Sequence, residues 1–107
     1  MKVSTTENIA GYRVIQTVGV VTGNVVRSKH IGRDIMAGLK TIIGGEIVGY
    51  TEMLAEAREV ATQRMLAQAE QLGADAVVNV RYTTSAIAQG MSEMLAYGTA
   101  VKLGIEA

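Results

Sequence analysis

The sequence predicts an α+β domain: a mainly antiparallel sheet with two helices, one of them long, on one face. Three observations predict it. A stretch of helical period, Ile47 to Leu72, stops at Gly73 and runs straight into the apolar run Ala76-Val77-Val78. Two C-terminal stretches, 75–87 and 93–103, alternate with period two across a short loop containing Gly90. A β-branched stretch, Tyr12 to Val21, stands near the other end. The chain order is strand, strand, helix, helix, strand, strand (β-β-α-α-β-β), so the helices are segregated between paired strands.

Taken in order, residues 2–6 suit a short edge strand and 7–11 a turn. Tyr12 to Val21 reads as a strand with apolar residues on both parities: Tyr12, Val14, Val18 and Val20 on one, Ile15 and Val21 on the other. Such a strand needs cover on both faces, from helices or from a neighbouring subunit. Gly19 and Gly23 mark a bulge or a close backbone approach. Residues 22–29 read as a polar connection containing Gly23-Asn24. His30 to Ile43 places Ile31, Ile35, Met36, Leu39, Ile42 and Ile43 at helical spacing, although Gly38 weakens that helix by ~1 kcal/mol relative to alanine.

Gly44-Gly45 then breaks the chain before the long helix. Tyr50, Met53, Leu54, Ala57, Val60, Ala61, Met65, Ala69 and Leu72 fall mostly at steps of three and four on one broad face. Glu52, Glu56, Glu59, Gln63 and Glu70 take the other side. Glu46 sits where the positive end of the helix dipole favours an acid, and Gly73 sits where a left-handed cap is wanted. At ~1.5 Å per residue the helix is roughly 40 Å long. In the strand after it, Ala76, Val78, Val80, Tyr82 and Ala86 share one parity; in the returning strand, Leu95, Tyr97, Thr99, Val101 and Leu103 do.

One domain's worth of chain, 107 residues, is long enough to bury a core without disulfides or metal. Hydrophobic residues make up 49%, yet Phe and Trp are absent, so the core is built from Val, Ile, Leu, Met and Ala. Small residues bury little area each, and burial between subunits is a natural supplement. Ten basic and ten acidic residues cancel, which argues against a nucleic-acid binder. No cysteine is available for a disulfide, a thiolate metal site or a nucleophile. No apolar signal segment opens the sequence, and no run approaches the ~18 apolar residues that span a membrane. These features suit a soluble, cytoplasmic protein.

Gly19-Val20-Val21-Thr22-Gly23, Gly44-Gly45-Glu46, Ala57-Arg58 with Ala61, Gly73-Ala74-Asp75-Ala76-Val77-Val78 and Gly98-Thr99-Ala100-Val101 together resemble the YbjQ-like family. The resemblance covers nearly the whole chain, 1–107, as a single domain. That family is also labelled a "putative heavy-metal-binding" domain and is functionally uncharacterised. The resemblance implies a dodecin-like subunit and a ring-shaped homo-oligomer, usually a pentamer. It implies no activity and no ligand set.

Read from the residues, chemistry is sparse. Zinc sites want clustered Cys, His and carboxylates, and a single His30 cannot make one alone. Symmetry multiplies single residues, so His30 or Glu46 from several copies would ring an axis. Met91 and Met94 are soft thioethers suited to Cu(I), but as a pair they are more simply packing residues. Arg27, Lys29, His30 and Arg33 cluster at the start of the predicted first helix, where free N–H groups and the dipole also attract anions. The plain alternative is a patch neutralised by Asp34 and a neighbour's acids, with Ser28 as the N-cap. Glu52, Glu56 and Glu59 form an acidic row, more simply a solvated face than a subunit contact.

Gly19–Asn24 lacks the Gly-Lys-Ser/Thr ending of a phosphate loop, and no dinucleotide fingerprint or nucleophile elbow occurs. The expected function is therefore a non-enzymatic, homo-oligomeric binding or structural module without nucleic-acid or membrane partners. The second expectation is a metal-binding or sequestering protein using symmetry-related side chains. The third is a small enzyme with a composite interface site around Glu46, Tyr50 and His30.

Overall fold

A computed structural model describes residues 1–28, 42–43 and 46–106. Its main sheet has four strands in the order β1-β5-β6-β2: β1 Lys2–Val3, β2 Tyr12–Ser28, β5 Ala76–Ala88 and β6 Met91–Ile105. β2, β6 and β5 pair antiparallel, while β1 joins β5 in parallel. A separate two-stranded hairpin pairs β3 Ile42–Ile43 with β4 Glu46–Ile47. The helix α1, Val48–Gln71, follows β4 directly.

The two-helix expectation is thereby corrected. The main sheet is mixed, and with its helix it runs β-β-α-β-β, with one helix among the described residues. Most of the predicted helix at His30–Ile43 lies outside the described residues. Its last two, Ile42 and Ile43, are extended and pair with Ile47 and Glu46. β-branched residues beside a Gly-Gly break favour that geometry over a last helical turn.

α1 matches the predicted long helix to within a residue at each end, and the reason is visible in its packing. Ala57, Ala61, Met65 and Ala69 recur every four residues and are buried against the sheet. Leu54, Val60 and Leu66 flank them. The helix stops at Gly73, whose φ of 76° is the left-handed cap. Ala74 N–H donates to the Ala69 carbonyl (3.1 Å) and Gly73 N–H to the Glu70 carbonyl (3.0 Å), which satisfies the last turn.

β2 is longer than predicted, because 22–28 continue the strand rather than form a connection. Val21, Gly23 and Val25 are buried under α1, with exposed Thr22, Asn24 and Val26 alternating between them. Gly23 is there for a contact, not a turn: a Cβ on it would run into the backbone carbonyl of Ala61 and the backbone nitrogen of Met65. Gly19 lies at a register shift opposite Ala100.

β5 carries a bulge that reverses its faces. Asn79 has φ 54°, and Asn79 with Val80 together oppose Gly98. Val77 and Val80 therefore lie on the same side, under α1, while Ala76 and Val78 pack with Val101, Leu103 and Ile9 on the other. The simple parity that groups Val78 with Val80 fails at this bulge. Gly98 makes room for it, since a Cβ there would meet Val77 Cγ1 at 2.7 Å and the Val78 carbonyl at 3.0 Å.

Candidate functional site

Helix cover is uneven, and that decides which surfaces remain for function. α1 lies chiefly along β2, less over β6 and least over β5. It reaches the outer edge of β2 with two polar side chains. Gln68 Oε1 accepts from Thr22 N–H (2.7 Å), and Arg64 Nη1 donates to the Asn24 carbonyl (2.7 Å). On the sheet face turned away from α1, the N-terminal segment covers the lower end through Ile9. The upper end of that face is bare: Val20 is 74% exposed, and Val26 and Tyr97 are also exposed. Thr22, Asn24, Arg81 and Thr83 complete this surface beside Leu95. The two-sided apolar pattern of Tyr12–Val21 was the signal for it, because one helix can cover one face only.

The sequence-predicted residues are dispersed. Arg27, next to last in β2, lies on the helix side, half-buried, 3.8 Å from Glu56 Oε1 on α1. A pair this open contributes at most ~1 kcal/mol. Lys29, His30 and Arg33 lie outside the described residues, so the anion cluster is represented by Arg27 alone. Glu46 lies in β4 and Tyr50 in the first turn of α1, described in their backbone only.

Met94 is buried in the core, where its sulfur accepts a hydrogen bond from Thr84 Oγ1 (3.4 Å). Met91, three residues earlier in the same extended strand, projects to the opposite face. The two sulfurs therefore do not converge. In the acidic row, Glu56 faces Arg27, Glu59 accepts from Gln63 Nε2 (3.3 Å), and Glu52 is exposed.

Elsewhere, polar contacts hold the fold. Thr62 Oγ1 meets the Tyr82 hydroxyl at 2.8 Å, joining α1 to β5. Asp75 Oδ2 accepts from Leu103 N–H at 2.9 Å, and Asn24 Nδ2 donates to Glu93 Oε2 at 3.4 Å. Among the described residues, no three of His, Cys, Asp or Glu are grouped to hold a metal ion. With no cysteine in the chain, the described donor set of one subunit does not fit a heavy-metal site. No helix among the described residues is long and apolar enough to cross a membrane.

The sequence profile of a family described as "Putative heavy-metal-binding", YbjQ, matches residues 1–104. The chain belongs to the YbjQ family. Its similar relatives carry the name UPF0145 protein. One, from Shewanella frigidimarina, is 68% identical over 101 residues, 94% of each chain. Another, from Thermotoga maritima, is 62% identical over 103 residues, 96% of this chain and 97% of its own. The YbjQ chain also resembles a crystal structure of a protein of unknown function from Pediococcus pentosaceus. That likeness has a TM-score of 0.69 at 19% identity and covers 97% of this chain and 98% of the other, so it speaks for the fold alone. The names of these relatives carry no enzymatic activity. The match thus bears out the resemblance drawn from the five sequence blocks.

Proposed function

We propose that this YbjQ-family protein is a non-enzymatic, homo-oligomeric module of the cytoplasm that binds a ligand or serves as a scaffold. The observation that carries the reading is surface. The chain exposes 6874 Å². A compact monomer of 11.3 kDa exposes about 5,700 Å². Its radius of gyration is 17.4 Å, against about 13 Å for a compact chain of this length. A core of Val, Met and Ala does not offset such a surface well, and Val20, Val26 and Tyr97 lie bare on it. Copies of the chain that cover one another would remove both deficits. Five is the subunit number the family resemblance suggests.

The second reading is metal binding or sequestration, favoured by the description of the matched family. The sites would be composite, with His30, Glu46 or Met91 contributed by symmetry-related copies. Met94 is a poorer candidate, because its sulfur is occupied inside the core.

A native mass spectrum of the protein purified from its host without chelator tests both readings. A multimer is the expected species. A reproducible added mass would separate a metal from an organic anion by its value. A single-chain mass at micromolar concentration would sink the oligomer reading, and a metal-free multimer would sink the second.

A further inference from the structure

The seam between α1 and β5 is closed as far as Thr62 and open beyond it. Over its closed part Val77 and Val80 of β5 are buried against the helix. Thr62 Oγ1 then donates to the Arg58 carbonyl (2.7 Å) and lies 2.8 Å from the Tyr82 hydroxyl, which is the last bridge between the two elements. Thr84 and Ala86 follow Val80 and Tyr82 on the same face by alternation, yet both are exposed. Thr84 Oγ1 donates to Met94 Sδ (3.4 Å), so the core itself floors the opening.

Arg58 faces this opening. It precedes Thr62 by four residues, so the two share one strip of the helix. Helical side chains lean toward the helix N-terminus. α1 ends at Gln71 and β5 starts at Ala76, so the strand returns antiparallel to the helix, and that lean is toward Thr84 and Ala86. Arg58 is exposed, and its guanidinium has no ion pair or hydrogen bond among the described residues. The other arginine of α1, Arg64, is engaged by the Asn24 carbonyl. Acids are kept away from the opening. β5 carries no charge from Tyr82 to Ala88. Glu52, Glu56 and Glu59 each lie roughly 100° or more around the helix from Arg58, where Glu56 faces Arg27 and Glu59 holds Gln63.

We infer that the opening between α1 and β5 is an oxyanion site, in which Arg58 pairs with the phosphate or carboxylate group of a small ligand and the Tyr82 hydroxyl adds a neutral hydrogen bond. The inference rests on the ligand-binding reading above and deepens it by naming the class of ligand. Charge complementarity carries it. The guanidinium is a fork of donors that its own chain leaves without an acceptor, beside groups that are hydroxyls and not carboxylates. The Thr62 proton is taken by the Arg58 carbonyl. The Tyr82 proton is therefore the one that bridges the two hydroxyls, and it turns from Thr62 Oγ1 to the ligand when the anion is bound.

The test titrates the full chain with sodium phosphate and with sodium acetate, against sodium chloride at constant ionic strength, and follows the amide NMR shifts. Native mass is read on the same samples, and circular dichroism verifies the fold of Arg58→Gln and Tyr82→Phe. Saturable shifts centred on Thr62, Tyr82 and Thr84 are expected with phosphate or acetate, and the anion that binds more tightly names the acid group of the ligand. Arg58→Gln is expected to weaken binding about tenfold or more, and Tyr82→Phe about threefold, the difference between a charge-assisted and a neutral hydrogen bond. No shift with either anion, shifts that chloride reproduces, shifts centred on Arg27, or unchanged affinity in folded Arg58→Gln would each overturn the site. Such a failure in a multimeric sample leaves the homo-oligomer reading standing. Binding at Arg58 in a single-chain species supports the site and sinks the oligomer. If Tyr82→Phe loses its fold, Arg58→Gln alone decides.

Discussion

Gly23 and Asn79 are the residues where local chemistry and the fold meet most sharply. Gly23 lies where the backbones of β2 and α1 touch, and the obstructing atoms are main chain, which cannot rotate away. Gly23→Ala is therefore expected to cost at least the ~1–3 kcal/mol typical of overpacking, read as a lower urea midpoint at unchanged slope. Gly11→Ala is the informative contrast: no atom stands within 4 Å of its Cβ, and only the φ of 84° resists the change. Asn79 holds a left-handed conformation that a short polar side chain tolerates and a β-branched one does not. Asn79→Gly is expected to be near neutral, and Asn79→Val to cost ~1–3 kcal/mol. Equal thermal midpoints for the two variants would refute that account of the bulge. The close approach at Gly23 was among the sequence expectations, although residues 22–29 read as a polar connection and not as strand. Asn79 was not legible, because it reads as one more polar position in an alternating strand.

At the scale of elements, α1 was the most legible, because its period, its glycine stop and the strand after it agree. The β5–β6 hairpin was nearly as clear from its alternation and Gly90. β2 was truncated in the sequence reading, because Thr22, Gly23 and Asn24 carry turn chemistry that pairing with β6 overrides. The contact between α1 and the β2 edge depends on residues 40 and 46 positions apart, beyond the reach of any local pattern. Gln68→Ala and Arg64→Ala are each expected to lower stability by ~0.5–1.5 kcal/mol, the net worth of one hydrogen bond. Hydrogen exchange at the Thr22 amide should quicken in Gln68→Ala and stay unchanged in Arg64→Ala, because Arg64 bonds a carbonyl. Equal protection of that amide in both variants would show that the edge is guarded by something other than these side chains.

At the scale of the whole molecule, the elongated shape, 58 × 25 × 16 Å, leaves too much surface for the core it encloses. A protein stabilised by its own copies has a thermal midpoint that rises with concentration. We expect the midpoint to climb across a hundredfold concentration series, and a flat series would speak for a self-sufficient monomer. The anion cluster is testable at this scale too. If Arg27, Lys29, His30 and Arg33 form a site, inorganic phosphate at constant ionic strength should raise the midpoint, and chloride should not. Of that candidate site little was legible. The residue types stood together in sequence, but Arg27 faces Glu56 across the sheet–helix boundary, a relation no sequence spacing reveals.

What the sequence determined by itself was local and periodic: the long helix and its cap, the C-terminal hairpin, a core without large aromatic rings, and the family. Those features depend on residues within a few turns or strand steps of one another. Tertiary structure decided the length of β2, the bulge that reverses β5, the parallel seat of β1 and the extended Ile42–Ile43. Each of these depends on which backbone lies beside which. That choice is made by hydrogen bonding and close packing between residues far apart in the chain, and not by the preference of any residue alone.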